Sequence, residues 1–385
     1  MTPDWSLLPE ELLHAISENL DNCFDVVHAR SICSSWRSTV PFPSCLLRQS
    51  YSLPTFPIEK EGFFTIEKIP MFLFRVRSHS AALAAVASPS EYVLGGIGRR
   101  DESDDHITEL PRSPPLECSV EFKIPGSESD PTLMNMLDCQ IFPLGHHYRM
   151  IGEEPKDYRG LAFLPLNKEG GEEGGGEFVV LLSYSNVLMA LRSSEMRWMR
   201  VTKISKASYS DLVGFRGRFY AVVLDREIVV IDPYSLDVTP LMPSQALRSL
   251  KFLVPSGDDD ELFLVELIIP PSGVLDFGRF KCRVSRLDDE EEDGKWVEVT
   301  DLGDRVLFIG HLGNMCFSAK KLPDGYGLSR NSLLFTNGPG NVSYLYKYGV
   351  DTGNVEDDLS FWRLSRENRV TFLSTYPVIA FRVEC

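Results

Sequence analysis

The chain has no segment in which lysine and arginine gather into a basic stripe, although it is 385 residues long. Its 55 acidic residues outnumber 39 lysines and arginines, which gives a formal net charge of -16. Nucleic-acid binding and attachment to anionic membranes both depend on clustered basic side chains, so we expect neither kind of partner. The acidic excess indicates a well-solvated surface.

Cysteine pairs with metal-site spacing are missing as well. The eight cysteines, at 23, 33, 45, 118, 139, 282, 316 and 385, form no C-x-x-C pair and no zinc-type cluster with histidine. The N-terminus lacks the basic and apolar regions of a signal peptide, and Glu266 interrupts the most apolar run, LFLVELII. We therefore expect reduced, buried thiols and a location in the nucleus, the cytoplasm or both.

Motifs that carry catalysis or bind a cofactor are also missing. The sequence contains no P-loop, no G-x-G-x-x-G after a strand, no H-E-x-x-H and no G-x-S-x-G. The nearest Gly-rich stretch, Gly95-Gly96-Ile97-Gly98, is followed by Arg99-Arg100, which does not open a helix, so it indicates a turn. His146-His147 has no third ligand at useful spacing and indicates a loop pair. We expect no catalytic residue, no cofactor and no metal.

Several charged stretches are interpreted as structural. The acidic runs Asp258–Glu261 and Asp288–Asp293 lack the alternating ligands and the glycine of a calcium loop, so solvated hairpin loops are favoured over calcium or a basic partner. The Gly/Glu-rich segment Asn167–Glu177 is predicted to be a flexible loop. Asp301, Asp304 and Arg305 are expected to form an ion pair that holds a turn, because no nucleophile or base accompanies them.

The first 45 residues have a helical pattern. Pro9 suits a first helical position, and Glu10 and Glu11 place negative charge in the first turn. An apolar stripe recurs every four residues, with Leu13 alongside, at Leu8, Leu12, Ile16 and Leu20. Asp25 can cap a second helix, and a short third helix begins at Ser34. So small a unit seldom folds alone, which indicates either a partner or packing against the rest of the chain.

This segment resembles the F-box. The resemblance rests on Trp5-Ser6-Leu7-Leu8-Pro9-Glu10-Glu11-Leu12-Leu13 and on Ala29-Arg30-Ser31-Ile32-Cys33-Ser34-Ser35-Trp36-Arg37, which match the family's Leu-Pro start and its Trp-Arg ending. It implies that the segment binds a Skp-type adaptor, with Ile32 and Trp36 packing the same unit. The predicted adaptor-binding set is Leu8, Pro9, Leu12, Ile16, Leu20, Ile32 and Trp36.

The rest of the chain has the pattern of an all-β domain. Short β-rich runs arrive every ~8–12 residues, separated by glycine, proline, asparagine and aspartate, which is typical of a sandwich, barrel or propeller. The clearest runs are Phe178–Leu182, Val187–Leu191, Phe215–Leu224, Glu227–Asp232, Lys251–Val254, Leu262–Ile269, Phe280–Leu287, Trp296–Val299, Arg305–Ile309, Ser332–Thr336 and Ser343–Tyr348. Imperfect repeats and the length favour a propeller, most simply of six or seven blades.

Three stretches resemble the Kib-type β-propeller domain of plant F-box proteins. They are Gly217–Val222, Lys281–Leu287 and Lys295–Gly310, the last with the family's Leu-Gly-Asp-Arg-x-Leu-Phe-x-Gly element. The end of the chain departs from the family's Pro-rich closing sequence. We predict an F-box at residues 1–48, a linker at 49–69 and a β-propeller-like domain at 70–385.

These resemblances imply a non-enzymatic substrate-recognition subunit of a Skp–cullin–F-box ubiquitin ligase. In this role the F-box binds the Skp adaptor, and through it cullin, while the propeller binds a target protein. Two alternatives stay open at this point. The chain could be an F-box protein that acts outside a ligase, or a degraded paralogue. It could also be a propeller enzyme with a helical prefix.

Overall fold

Antiparallel β-sheets dominate the chain, as the short β-rich runs indicate. A computed structural model describes residues 5–20, 26, 29–30, 32–41, 50–54, 63–76, 91–96, 119–122, 132–135, 139–151, 158–166, 176–184, 187–201, 209–223, 227–242, 249–256, 261–270, 280–288, 294–309, 313–321, 330–337, 344–355 and 382–384. Within these residues, no helix is long and apolar enough to cross a membrane.

The N-terminal elements are helical and short. A 3₁₀ turn at Trp5–Leu7 leads into helix α1, Glu10–Glu18, and helix α2 spans Ser34–Thr39. Pro9 precedes α1, and its carbonyl accepts hydrogen bonds from the N–H groups of Leu12 and Leu13, both at 3.1 Å. The helix expected after Asp25 is described at Val26, Ala29 and Arg30, which are helical.

Twenty-four described strands fall into six groups. Sheet one contains β1 (Ser50–Pro54), β2 (Phe63–Val76), β3 (Glu91–Gly96) and β6 (Cys139–Ile151). Sheet two contains β7 (Tyr158–Leu166), β8 (Glu177–Tyr184), β9 (Val187–Arg192) and β10 (Arg197–Arg200). Sheet three contains β11 (Tyr209–Phe215), β12 (Arg218–Val223), β13 (Ile228–Ile231) and β14 (Val238–Met242).

The remaining groups come from the second half of the chain and from its end. Sheet four contains β15 (Ser249–Ser256), β16 (Glu261–Ile268), β17 (Lys281–Asp288) and β18 (Lys295–Glu298). Sheet five contains β19 (Arg305–Ile309), β20 (Met315–Ser318), β21 (Ser332–Asn337), β22 (Tyr344–Gly349) and β23 (Asn354–Val355). Sheet six joins β4 (Ser119–Phe122) and β5 (Thr132–Asn135) to β24 (Arg382–Glu384).

One edge strand of each of the first five sheets faces a common centre. In the described residues β6 lies beside β7, β7 beside β11, β11 beside β15, β15 beside β20, and β20 beside β6 again. Sheets four and five also share one parallel bridge, between Ser256 and Cys316. A closed succession of inner strands, with each sheet extending outward, is the arrangement of a β-propeller.

A hydrophobic layer fills each gap between consecutive sheets from one to five. Leu53 and Ile66 of sheet one pack with Val180 and Leu182 of sheet two. The other face of sheet two packs on sheet three, where Leu181 joins Phe219. Equivalent layers lie between sheets three and four and between sheets four and five. The core is therefore a set of layers between sheets.

The middle strands carry long apolar runs because both of their faces are covered. In β12, Phe219 and Ala221 enter the layer with sheet two, while Tyr220 and Val222 enter the layer with sheet four. Successive strand residues point to opposite faces, so two buried faces demand an uninterrupted apolar run. Burial of each such side chain contributes about 1.5–3 kcal/mol of hydrophobic stabilisation.

A buried polar link joins three of the sheets. The carboxylate of Asp211, at a bulge in β11, accepts a hydrogen bond from the N–H of Leu253 in β15 at 2.8 Å. It also accepts from the N–H of Leu212 at 2.9 Å and from the side-chain amide of Asn314, just before β20, at 2.9 Å. The same Asn314 amide donates to the carbonyl of Leu253 at 3.2 Å. Sheets three, four and five are thus tied together at their inner strands.

A second polar link joins sheets four and five near Glu261. The Glu261 carboxylate lies 3.0 Å from the Arg286 guanidinium and 2.6 Å from that of Arg305. The Arg305 guanidinium also sits over the Phe263 ring, 5.8 Å from its centroid. Within sheet four, charged side chains of alternating sign cross all four strands in the order Lys251, Glu266, Arg283 and Glu298, 3.6–3.8 Å apart.

Several expectations need correction. The predicted linker at residues 49–69 contains β1 and the first half of β2, and Leu53 and Ile66 within it are fully buried. The predicted strand 215–224 crosses the two-residue turn at Arg216 and Gly217, so its first residue belongs to β11 and residues 218–223 form β12, while residue 224 lies outside the described residues. His146-His147 lies within β6 and Gly95-Gly96 within β3, not in loops, because both pair with β2.

Most predicted strands are confirmed, with their ends moved by no more than two residues. The segments Gly214–Val223 and Glu227–Asp232 are predicted to form two paired strands; the pairing is observed between β12 and β13, whereas Gly214 and Phe215 belong to β11. Of the segment Asn167–Glu177, only its last two residues are described, and the acidic runs are described only at Glu261 and Asp288; the remainder lies outside the described residues.

We expect Asp211→Ala to lower the free energy of unfolding by about 3 kcal/mol, because Leu253 N–H and the Asn314 amide lose their buried acceptor. Urea denaturation of the full chain near pH 6 measures this. Glu177→Ala removes an exposed carboxylate at the start of β8 and should change stability by less than about 0.5 kcal/mol. Equal losses in the two variants would contradict the role of the link.

The Asp211 link should also depend on pH. Burial raises the pKa of Asp211 from 3.8 to about 7, against the lowering effect of hydrogen bonds from Leu253, Leu212 and Asn314. A carboxyl with a raised folded-state pKa contributes stability that is full below the unfolded value and is lost as pH rises through the folded value. The stability advantage of wild type over Asp211→Ala should therefore be largest near pH 4 and shrink toward pH 7, by at most about 1.4 kcal/mol per pH unit. Denaturation at a series of pH values measures it, and a constant difference would contradict it.

Candidate adaptor interface

Large apolar side chains stand exposed on the N-terminal helical unit. Leu7 is 77% exposed, Trp5 57%, Ile32 52% and Leu12 51%, and Pro9 is exposed as well. Folded proteins leave single apolar residues on the surface, but several on a unit of about 35 residues are unusual. These five residues are called the exposed apolar set below.

The same unit has a small core of its own. Leu13 and Val40 are fully buried, and they pack with Ala29 and Trp36. Leu8, Ile16, Leu20, Val26 and Cys33 are partly buried around them. Leu13, Ile16 and Leu20 recur at spacings of three and four, which places them on one side of the α1 segment. Four buried residues stabilise the unit only weakly, so burial of its exposed apolar surface by other residues would add to its stability.

Trp36 connects the two ends of the unit. Its ring is buried, and its indole N–H donates to the carbonyl of Trp5 at 2.9 Å. The Arg30 guanidinium donates to the carbonyl of Val40 at the end of α2. These contacts fix the 3₁₀ turn and α2 relative to each other. The backbone that presents Trp5 and Leu7 is therefore held by the unit's own core.

The predicted adaptor-binding residues divide into three groups. Pro9, Leu12 and Ile32 are exposed, although Ile32 was expected to pack within the unit. Leu8, Ile16 and Leu20 are half-buried against the core. Trp36 is buried, as its expected packing role requires, so it positions the surface and does not form it. Binding of an adaptor by this set remains a prediction.

Sequence reasoning did not single out Trp5 and Leu7. The apolar stripe at Leu8, Leu12, Ile16 and Leu20 gives the correct spacing but not which of Leu12 and Leu13 faces inward. Adjacent helix residues point about 100° apart, and only the position of Trp36 decides between them. The sequence did carry a signal for their exposure, because Trp5 and Leu7 are large apolar residues that precede the helix and lie outside its apolar stripe.

The charged residues after β18 have other partners than expected. Arg305 pairs with Glu261 on sheet four. Asp301 accepts the N–H of Gly303 at 2.7 Å, which caps the turn, and Asp304 pairs with Lys320. In the part of the chain that the structure describes, no group of three or more His, Cys, Asp or Glu side chains could hold a metal ion. These residues serve the fold.

Comparison with known proteins gives a consistent family. The model of the KIB1-4 beta-propeller family matches residues 109–358. One F-box/kelch-repeat protein of Arabidopsis thaliana is 59% identical over 100% of this chain and 97% of its own length. A second is 57% identical over 99% of the chain and 96% of its own length. The F-box protein SKIP23 of the same plant is 28% identical over 98% and 93%.

Truncation of the two neighbouring leucines on α1 should change stability by very different amounts. We expect Leu13→Ala to destabilise the helical unit by about 2–5 kcal/mol, because it truncates a fully buried leucine in the core of the unit. Leu12→Ala, on the exposed side, should change stability by less than about 0.5 kcal/mol. Hydrogen exchange of α1 amides in the full chain, read by mass spectrometry, distinguishes them. Equal exchange rates in the two variants would refute the assigned burial.

Proposed function

We propose, since this chain belongs to the plant F-box proteins that carry a KIB1-4 β-propeller, that it is the substrate-recognition subunit of a Skp–cullin–F-box ubiquitin ligase. The observation that carries the proposal is the exposed apolar set, Trp5, Leu7, Pro9, Leu12 and Ile32, on a unit with only a small core. Covering such a surface with a partner gives a favourable free energy, because apolar side chains are removed from water. The partner in this proposal is a Skp-type adaptor, and through it cullin.

The mechanism in this proposal is proximity. The helical unit fixes the adaptor, and the propeller holds a target protein close to a charged conjugating enzyme. Bringing a target lysine near the reactive thioester raises its effective concentration without chemistry by this chain. The charged groups of the propeller described above, at Asp211, Glu261 and Asp301, are engaged in structural links, which supports a non-catalytic role.

The number of blades belongs to the same proposal. The described inner strands place five sheets around the centre, and sheet six joins the end of the chain to β4. We propose that these five sheets are the blades of the ring, one fewer than the lower of the two expected numbers, and that sheet six lies outside that succession. In sheet six, pairing of β24 with β4 ties the C-terminus to the first part of the domain, which keeps the last sheet from opening.

The free thiols support a reducing compartment. Cys33, Cys282 and Cys316 are free cysteines, and Cys316 is buried in the layer between sheets four and five. Reduced, buried cysteines are usual in nuclear and cytosolic proteins. We therefore propose the nucleus, the cytoplasm or both as the location.

Co-purification with a Skp-type adaptor tests the function. Leu12→Glu places a charge in the middle of the exposed apolar set and should weaken adaptor binding by at least about 100-fold, since an unpaired charge would be buried in the interface. His14→Glu adds the same charge to an exposed position roughly 200° around α1 and should leave binding intact.

The outcomes separate the alternatives. Loss of the adaptor in Leu12→Glu but not in His14→Glu supports the ligase subunit. A well-folded wild-type chain that binds no adaptor would leave an F-box protein that acts outside a ligase.

A further inference from the structure

The 3₁₀ turn Trp5–Leu7 is held against the helical unit at both of its ends. At its first residue, the carbonyl of Trp5 accepts the indole N–H of Trp36 at 2.9 Å. Directly after its last residue, the side chain of Leu8 is half-buried against the core of the unit. A segment of three residues that is held at both ends has few orientations open to it. The turn is therefore fixed relative to α1 and α2.

The turn presents its large side chains to solvent. Leu7 lies between the two held positions, and at 77% it is the most exposed of the large apolar side chains described. Trp5 is 57% exposed, although its own carbonyl is engaged. Both contacts that fix the turn thus leave the side chains of Trp5 and Leu7 largely in water. The order of the turn comes from the unit behind it and not from burial of these two side chains.

Trp36 contributes a ring and a hydrogen-bond donor, and the two have different roles. Its ring is 5% exposed and packs in the core with Leu13, Ala29 and Val40. Its N–H reaches a backbone carbonyl that lies 31 residues earlier in the chain. An apolar ring of the same size could fill the core without making this bond. The donor is therefore the part of Trp36 that connects the core to the turn.

Order in the turn has a direct effect on binding. Apolar side chains that already stand in position lose less conformational entropy when a partner covers them. Ordering a side chain only on binding lowers affinity by up to about tenfold. A hydrogen bond that makes no contact with the partner can thus set how tightly the partner binds.

We propose that Trp36 is a positioning residue for adaptor binding, whose indole N–H holds the turn Trp5–Leu7 as a preformed contact for an apolar groove of the adaptor. The groove has to be apolar, because the turn carries no charged residue and would leave a charge on the adaptor unpaired. This inference rests on the proposed function, since it names the element that the adaptor covers and the bond that keeps this element in place.

An isostere of tryptophan that lacks the donor tests the inference on the full chain. In Trp36→benzothienylalanine, a sulfur atom takes the place of the indole N–H and the size of the ring system is kept. The core should stay packed, so hydrogen exchange of the α1 amides should match wild type. Affinity for a purified Skp-type adaptor, measured by titration, should fall about tenfold because the turn has to be ordered during binding.

Trp198 offers a matched control in the propeller. Its ring is buried, and its indole N–H donates to the carbonyl of Pro54 at 2.7 Å, between sheets two and one. Trp198→benzothienylalanine therefore removes the same kind of hydrogen bond outside the helical unit, and it should bind the adaptor like wild type. Equal losses of affinity in the two variants would overturn the inference, because a general loss of stability would then explain both.

A double-mutant cycle tests whether Trp36 acts through the turn. Leu7→Ala should weaken adaptor binding about tenfold in the wild-type chain but no more than about threefold beside Trp36→benzothienylalanine, since the loosened turn no longer presents this side chain. Leu12→Ala, on α1, should weaken binding by the same factor in both backgrounds. Equal effects of Leu7→Ala in the two backgrounds would contradict the positioning role.

Failure of the inference can be told apart from failure of the proposed function. If Trp36→benzothienylalanine and Leu7→Ala bind the adaptor like wild type while Leu12→Glu does not bind, the inference is overturned and the proposed function stands. Faster exchange of the α1 amides in the Trp36 variant would make Trp36 a residue of the core alone, which also overturns the inference. If the wild-type chain binds no adaptor, both are overturned.

Discussion

The sharing of each hydrophobic layer by two sheets is the constraint on which the rest of the structure depends. Val179 and Leu181 of β8 belong to one layer, and Val180 and Leu182 belong to the next. The middle strands of sheets two, three and four are therefore needed by both neighbouring sheets, and removing any of these three sheets would expose two apolar faces. A strand at the surface of a sandwich carries no such requirement, since one of its faces can be polar.

The polar links occur where backbone N–H groups or charged side chains next to the apolar layers need a hydrogen-bond or ion-pair partner. Asp211 lies at a bulge, where the regular ladder between β11 and β12 is interrupted, and it serves the N–H of Leu253 on the next sheet. Glu261 begins β16 and takes two guanidinium groups, one from its own sheet and one from sheet five. Both links cross between sheets, so they add specificity of position to layers that are themselves non-directional.

Much of the fold could be predicted because two-sided burial leaves a clear sequence signal. The run Phe178–Leu182 is apolar throughout and Leu262–Ile269 is interrupted only by Glu266, and the ends of both strands were predicted within one or two residues. The partnership of Asp211 with Asn314 could not be predicted, because 103 residues separate them and each is an ordinary polar residue in its own segment. The first sheet was missed for a similar reason: β1 is short and pairs with a strand in a stretch punctuated by prolines.

The helical unit shows the same division. The apolar stripe and the Trp-Arg ending of the unit could be predicted from the sequence. Which of Leu12 and Leu13 is buried depends on Trp36, which is distant in sequence and packs with Leu13 in the core of the unit. The spacing of apolar residues in the sequence predicts a helix and its apolar face. Which residues of that face are exposed depends on the tertiary contacts that cover it. For this reason the exposure of Trp5 and Leu7 follows from the packing of the unit and not from the helical period.

The row of charges across sheet four has a consequence for the folding of that sheet. Lys251 is opposite Glu266, and Glu266 is opposite Arg283, in strands that are otherwise largely apolar. A slip by two residues would keep every apolar side chain on its correct face, so the hydrophobic layers alone would tolerate it. The same slip would set the buried Glu266 against Leu253 or Ser249 and leave the carboxylate without its lysine. The ion pairs thus select the native strand register over a register shifted by two residues, which the apolar side chains alone would not disfavour.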